Sequence, residues 1–239
     1  MELQRLDKIL ASTGRFSRKE ARNLIRGGRL LVDGKPVRDP SAKFDPEGVR
    51  LTADGADIAY RRTTWVMLNK PAGYLSATED RRGPTVLELL PPELRNLFPV
   101  GRLDKDTVGL LLLTNDGALA HTLLSPRHHV EKVYEARVSG RLTDADVTAF
   151  REGLTLSDGL QCLPAALEIL SAGDAESLCR VTVREGKFHQ VRRMLGERGN
   201  TVLSLERIRM GNLPLDTSLG RGSFRFLTEE EVENLGIFS

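Results

Sequence analysis

The chain has 239 residues, 40% hydrophobic and 28% charged, with Lys+Arg 35 against Asp+Glu 33. That length suits one or two domains, and the composition excludes a disordered, collagen-like or membrane-embedded chain. The net charge of +2 hides an uneven distribution: residues 1–40 hold ten Lys/Arg against five acids, and residues 180–211 hold eight against three. Two basic zones on an acidic background are the pattern of a polyanion held at two places, although solvated helix faces give the same count. No apolar run approaches the ~18 residues of a membrane span. The first residues lack the apolar core of a signal peptide. Two cysteines, Cys162 and Cys179, make neither a disulfide framework nor a zinc site, and are expected to be buried thiols in a reducing cytoplasm.

In chain order, Leu3, Leu6, Ile9 and Leu10 recur at helical spacing and predict a short helix ended by Gly14. Ser17-Arg18-Lys19-Glu20 is a capping box that opens a second helix. Ala21, Leu24 and Ile25 form the apolar arc of that helix, and Arg18, Arg22 and Arg26 form a basic ridge beside it. Gly27-Gly28 stops it. Leu30-Leu31-Val32, Asp33-Gly34 and Lys35-Pro36-Val37 then read as a hairpin with a tight turn.

Two helices followed by a hairpin, with arginines along one helix, outline a nucleic-acid-binding module. These residues resemble the S4 RNA-binding domain in order and spacing. The resemblance implies RNA contacts by Arg5, Lys8, Arg18, Lys19, Arg22, Arg26, Arg29 and Lys35. The module is expected to span residues 1–60, followed by a linker at 61–64 (Arg61-Arg62-Thr63-Thr64) and a second domain at 65–239.

The second part opens on an apolar strand, Trp65-Val66-Met67-Leu68, and Asn69-Lys70-Pro71-Ala72-Gly73-Tyr74 turns the chain after it. A short helix is expected from Thr85. A charged loop, Gly101-Arg102-Leu103-Asp104-Lys105-Asp106-Thr107, leads into a buried strand at residues 109–113. Helices follow at residues 118–124 and from the capping Thr143-Asp144-Ala145-Asp146 to Gly153. Strands are expected over residues 130–138, near 160–170 and 177–185, and over 201–210 and 223–227. Residues 188–198 read as a helix with Phe188, Val191, Met194 and Leu195 on its apolar arc. Thr228-Glu229-Glu230-Glu231 caps a last helix. Many strands with scattered helices predict an α+β fold with a mixed, largely antiparallel sheet.

Within the loop, the Arg102 and Lys105 cations favour ionised Asp104, which suits a nucleophile or base rather than an acid. Asp106 competes for that role. The segment from Gly101 to Leu111 resembles the catalytic motif of rRNA pseudouridine synthases. Lys70-Pro71-Ala72-Gly73-Tyr74 is similar to the family's first motif. Ser125-Pro126-Arg127-His128-His129-Val130-Glu131-Lys132-Val133-Tyr134 follows the catalytic loop as in the family. Gly186-Lys187-Phe188-His189-Gln190-Val191-Arg192-Arg193-Met194 resembles its third motif.

With an S4 module in front, the chain resembles the RsuA-type branch, which acts on 16S rRNA. One departure is Arg192, where that branch often carries lysine. The resemblance implies that Asp104 is the catalytic aspartate, Tyr134 stacks on the target base and Arg192 pairs with the aspartate. It also implies that Arg102 helps displace the target nucleotide and that Leu205 lines the base pocket. No cofactor or metal is implied. The partner is ribosomal RNA, within a partly assembled small subunit, and a cytoplasmic monomer is expected. His128-His129 reads as a loop contacting RNA or simply exposed, and His189 as a hydrogen-bonded support for the Arg192 segment.

The alternatives are the same reaction on 23S rRNA, a non-catalytic S4-type RNA-binding protein, and a glycosidase-like hydrolase pairing Asp104 with Asp106. The last requires two carboxylates converging about 5–9 Å apart.

Overall fold

The computed structural model describes residues 3–13, 15–58, 60 and 63–236. Gly14, the expected helix stop, and Arg61 and Arg62 of the expected linker lie outside the described residues. The chain forms two compact units: residues through Thr64 together with Leu87–Phe98, and Trp65–Val86 with Pro99 onward.

In the first unit, β1 (Gln4–Arg5) is followed by α1 (Leu6–Ser12), α2 (Arg18–Arg26), β2 (Leu30–Val32) and β3 (Lys35–Pro36). Next come β4 (Lys43–Phe44), β5 (Leu51–Ala53) and β6 (Ala56–Ile58). The Ser17–Glu20 capping box is formed in both directions, with Ser17 N donating to the Glu20 carboxylate at 2.7 Å. Asp33 and Gly34 both take positive φ, 50° and 77°, as a two-residue turn between β2 and β3 demands. Asp54-Gly55 repeats the device between β5 and β6. The second hairpin was not expected from the sequence, and it completes an antiparallel sheet in the order β3-β2-β5-β6.

The core of this unit joins Leu6, Ile9 and Leu10 to Ala21, Leu24, Ile25, Leu30 and Leu51. Leu3 does not join it. It is 58% exposed, because the chain at Gln4–Arg5 pairs with β4 as a strand and only becomes helical at Leu6.

Asp7 is buried among these apolar side chains yet ionised. Arg5 Nε donates to Oδ1 at 3.0 Å and Arg22 Nε donates to Oδ2 at 3.0 Å. The hydrogen bond from Arg5, with that from Arg22, outweighs burial and holds the carboxyl at about 2, against 3.8 ordinarily. Such a depression contributes about 1–2 kcal/mol once discounted for the half-exposed arginines. The folded-state pKa lies below the unfolded one, so this contribution is complete above about pH 4 and is lost as pH falls toward 2. Asp7→Asn is expected to cost about 1–2 kcal/mol at pH 7 and to flatten the acid limb of stability, as read by urea unfolding at pH 7 and near pH 2.

In the second unit, β7 (Trp65–Lys70), β9 (Val108–Thr114), β10 (Lys132–Ser139) and β11 (Ala166–Ala172) join β12 (Glu176–Val183), β13 (Val202–Met210) and β15 (Phe224–Phe226) in one sheet. β8 (Phe98–Pro99) precedes β9, and β14 (Leu213–Pro214) pairs with β13. The strand order is β11-β12-β10-β13-β9-β7-β15. All neighbours on this path are antiparallel except β13 and β9. The fold is therefore α+β with a mixed, largely antiparallel sheet.

The parallel junction is tight. A Cβ at Gly109 (φ 96°) would collide with the Arg207 carbonyl, so only glycine fits there. Buried Arg207 ties the same two strands, its Nε donating to Leu110 O at 2.8 Å. Helices α3 (Gly117–Leu124), α4 (Asp144–Glu152) and α6 (Glu229–Gly236) fall where sequence signals placed them, while α5 (Gln190–Glu197) starts two residues later than expected and leaves Phe188 outside it. Capping boxes form at Thr143/Asp146, and at Thr228/Glu231 with bonds of 2.9 and 3.2 Å. The short helix expected from Thr85 is a 3-10 turn (Val86–Leu89).

Along β12, Ser177, Cys179, Val181 and Val183 are buried and their neighbours are not, which is the period of a strand with one covered face. α4 and α5 cover that face with Phe150, Val191, Met194 and Leu195. Among the described residues no helix is long and apolar enough to cross a membrane.

Candidate active site

Asp104 sits in the loop ahead of β9, and the backbone of that loop is anchored from two directions. Lys70 ends β7 fully buried, and its Nζ donates to the carbonyls of Pro71 (3.2 Å), Asp104 (3.1 Å), Lys105 (3.1 Å) and Thr107 (2.9 Å). Ser76 exchanges hydrogen bonds with Leu103: its hydroxyl donates to Leu103 O at 2.9 Å and accepts from Leu103 N at 3.1 Å. Gly73 N donates to Lys105 O at 2.9 Å.

Burial pushes Lys70 down to about 8 against the opposing fields of Asp106 and Asp104, so the ammonium remains the major form at pH 7. Lys70→Met would remove the clamp and leave these carbonyls short of a buried donor, at about 1–3 kcal/mol for each one unsatisfied. The expected result is a clear fall in melting temperature and at least a tenfold loss of activity, checked by calorimetry and a turnover assay.

The Asp104 carboxylate is about one-third exposed and faces a histidine and an arginine from the third motif. His189 Nε2 lies 3.4 Å from Oδ1, and Arg192 Nε lies 4.0 Å from Oδ2. His189, expected to be a support, is thus nearer to the carboxylate than Arg192 is. The reason is local backbone: His189 takes φ 50°, ψ 31° immediately before α5, which turns its ring toward the loop. Arg192, in the first turn of α5, is further steadied by Val202 O at 3.5 Å from Nη1.

The cavity beside Asp104 is walled by Leu103, Tyr134, Val183, Val191 and Leu205, with Arg102 and His189 at its polar side. Tyr134 reaches it from β10, where it stands opposite Val181 and Arg207 in register. Leu205 reaches it from β13 and is 4% exposed. The structure therefore brings Arg102, Asp104, Tyr134 and Leu205 to one cavity and sets Arg192 at its edge. Glu185 lines the same cavity, but Gln190 Nε2 (2.6 Å), Leu163 N (2.9 Å) and Lys187 Nζ (3.0 Å) engage its carboxylate. Glu185 is thereby tied to the segments around it.

Glu185 stands outside the sequence motifs, and Gln190 and Lys70 stand in them without an assigned role. A lysine closing a strand whose other residues are all buried was the available signal.

A larger cavity of about 540 Å³ lies among His128, His129, Glu131, Arg184 and Arg209. There Glu131 is shared by Arg184 and Arg209, each at 3.1 Å, and no carboxylate is left to react. His128 and His129 are exposed.

On the first unit, Arg5 and Arg22 are engaged with Asp7, and Arg29 with Asp54. Lys8, Arg18, Lys19, Arg26 and Lys35 are exposed, with no ion pair among the described residues.

A carboxylate held by an anchored loop, facing a histidine and an arginine beside an apolar slot with a tyrosine in its wall, suits attack on a sugar carbon whose base lies in the slot. Comparison with known proteins agrees. The family model for RNA pseudouridylate synthase matches residues 64–197, and that for the S4 domain matches residues 4–49. An uncharacterized RNA pseudouridine synthase of Bacillus subtilis is 44% identical over 97% of this chain and 98% of its own. The ribosomal small subunit pseudouridine synthase A of Escherichia coli K12 is 40% identical over 97% and 99%. A crystal structure of a pseudouridylate synthase superposes with a TM-score of 0.68 at 35% identity, covering 97% of this chain and 99% of that one. The chain belongs to the RNA pseudouridine synthase family and carries an S4 domain at its N-terminal end. It is an enzyme that converts uridine in RNA to pseudouridine, which sets aside the non-catalytic and hydrolase readings.

Proposed function

We propose that the enzyme isomerises a specific uridine in 16S ribosomal RNA, with Asp104 as the reacting carboxylate. The observation that carries this reading is the Asp104 carboxylate, faced by His189 and Arg192, beside a slot walled by Tyr134 and Leu205. The choice of 16S rests on full-length similarity to proteins named for the small ribosomal subunit.

The reaction breaks the bond from uracil N1 to ribose C1′ and forms one from C5 to C1′. The C5 proton is lost and N1 gains one, with no net oxidation or hydrolysis. Asp104 attacks C1′ or stabilises the cationic sugar, and both roles require its ionised form. The target must leave its stack at a cost of a few kcal/mol. Tyr134 returns about 1–3 kcal/mol by stacking on the base, Leu205 lines the pocket, and Arg102 helps displace the nucleotide. Arg192 orients the carboxylate.

Residues 1–60 serve as the RNA-binding domain through Lys8, Arg18, Lys19, Arg26 and Lys35, with Arg5, Arg22 and Arg29 beside them. Residues 61–64 serve as linker and 65–239 as the catalytic domain. The protein acts as a monomer on partly assembled small subunits, which places it in the cytoplasm.

The test is incubation with 16S transcripts, 23S transcripts and partly assembled small subunits, followed by pseudouridine mapping through chemical modification and primer extension. Partly assembled particles are included because RNA is recognised largely by shape. One new pseudouridine in 16S RNA is expected. Modification of 23S RNA alone would overturn the choice of substrate.

A further inference from the structure

We infer that Phe188 is a stacking platform for the RNA base beside the target uridine. This rests on the RNA-modifying reading of the Asp104 site.

Apolar spacing assigns Phe188 to the buried arc of α5 with Val191, Met194 and Leu195, and those three are buried. Phe188 is instead 76% exposed, the most exposed of the large apolar side chains described. A single exposed apolar residue needs no explanation by itself. Three further facts set this one apart.

First, its ring is not loose on the surface. It lies parallel to the His189 imidazole, with centroids 3.9 Å apart and planes at 17°. One face is thus held and the ring is pre-oriented.

Second, the residue that holds it has left-handed backbone, φ 50°. That conformation is uncommon for a side-chain-bearing residue, costs of order 1 kcal/mol or more, and collects at functional sites. Continuing the helix one turn earlier would relieve it and would return Phe188 to the arc. With the backbone left-handed at His189, Phe188 lies outside α5 and its ring is exposed.

Third, the same His189 points its Nε2 at Asp104, 3.4 Å away. Phe188 therefore stands one aromatic layer, the His189 ring, from the reacting carboxylate, at the margin of the target cavity.

The occupant follows from the chemistry of the segment. An aromatic face four residues before Arg192, beside a cavity that Arg102 lines, joins a ring to cations as sites for single-stranded RNA do, while Lys187 and Arg193 are already engaged by Glu185 and Asp158. A uridine in the Asp104 cavity has left its stack, so its neighbour has lost a stacking partner. Phe188 replaces that partner.

The introduced indole of Phe188→Trp gives a direct readout, because Trp65 is the single native tryptophan and is buried. Emission of Phe188→Trp is expected to be quenched by a short oligouridylate, and wild-type emission to be nearly unchanged. This reading does not depend on turnover, so it survives a failure of the 16S assignment. Unchanged emission at saturating RNA would overturn the proposal.

On an RNA fragment carrying a mapped target uridine, Phe188→Ala is expected to raise KM about five- to a hundredfold. That range corresponds to 1–3 kcal/mol of stacking at 1.4 kcal/mol per tenfold. The single-turnover rate at saturating RNA should change far less, and Phe188→Trp should keep KM within about threefold. Removing one base beside the target should cost the wild-type enzyme the same factor and cost Phe188→Ala nothing more. Equal losses in both proteins would show that Phe188 does not touch that base.

Discussion

Asp104→Asn is expected to lower the single-turnover rate of pseudouridine formation by about ten-thousandfold or more, the scale on which loss of a reacting nucleophile is felt. Affinity for RNA should stay within about threefold. The substitution keeps shape and removes only charge. Asp104 is partly exposed, and the clamp from Lys70 grips its backbone carbonyl rather than its carboxylate. The melting temperature should therefore barely move. Filter binding beside single-turnover assays separates the two quantities. An equal loss in binding would mean that the carboxylate organises the site rather than reacting in it. Asp106→Asn is the matched control. Asp106 contributes to the field that keeps Lys70 charged, so that variant should act through Lys70 and be much milder.

The second large effect is expected on the basic ridge. Arg18, Lys19 and Arg26 lie on α2, exposed and without ion pairs among the described residues, so their charges are available to phosphates. Replacing all three by alanine should weaken RNA binding about ten- to a hundredfold near 0.1 M salt, at ~0.5–1 kcal/mol for each exposed pair. It should also reduce the slope of log affinity against log salt by about 2, because each neutralised phosphate releases its counterion. Arg22 is left out of the set, since it also holds buried Asp7 and its loss would cost stability. An unchanged salt slope would remove α2 from the RNA interface.

Local chemistry made much of the fold legible. The boxes at Ser17/Glu20, Thr143/Asp146 and Thr228/Glu231 fixed helix starts, and Asp33-Gly34 fixed a turn, because each satisfies its own backbone within four residues. Periodicity failed at Leu3 and Phe188, and for one reason. Both continue a helical pattern, yet a strand pairing at Gln4–Arg5 and a left-handed residue at His189 break the backbone between them and the helix. Spacing cannot register such a break.

The parallel pairing of β9 with β13 joins segments about a hundred residues apart, and nothing local encodes it. Within the site, residues quoted from family-like motifs converge on one cavity, and their order of approach to Asp104 did not follow from sequence. His189 stands closer than Arg192, and Lys70 governs the loop from beneath.

The most direct test of the central claim is pseudouridine mapping of 16S RNA in partly assembled small subunits, incubated in parallel with wild-type enzyme and Asp104→Asn. A single uridine modified by the wild type and untouched by the variant is the predicted result. Modification by Asp104→Asn at a comparable rate would contradict the account, and so would the absence of any new pseudouridine in 16S RNA.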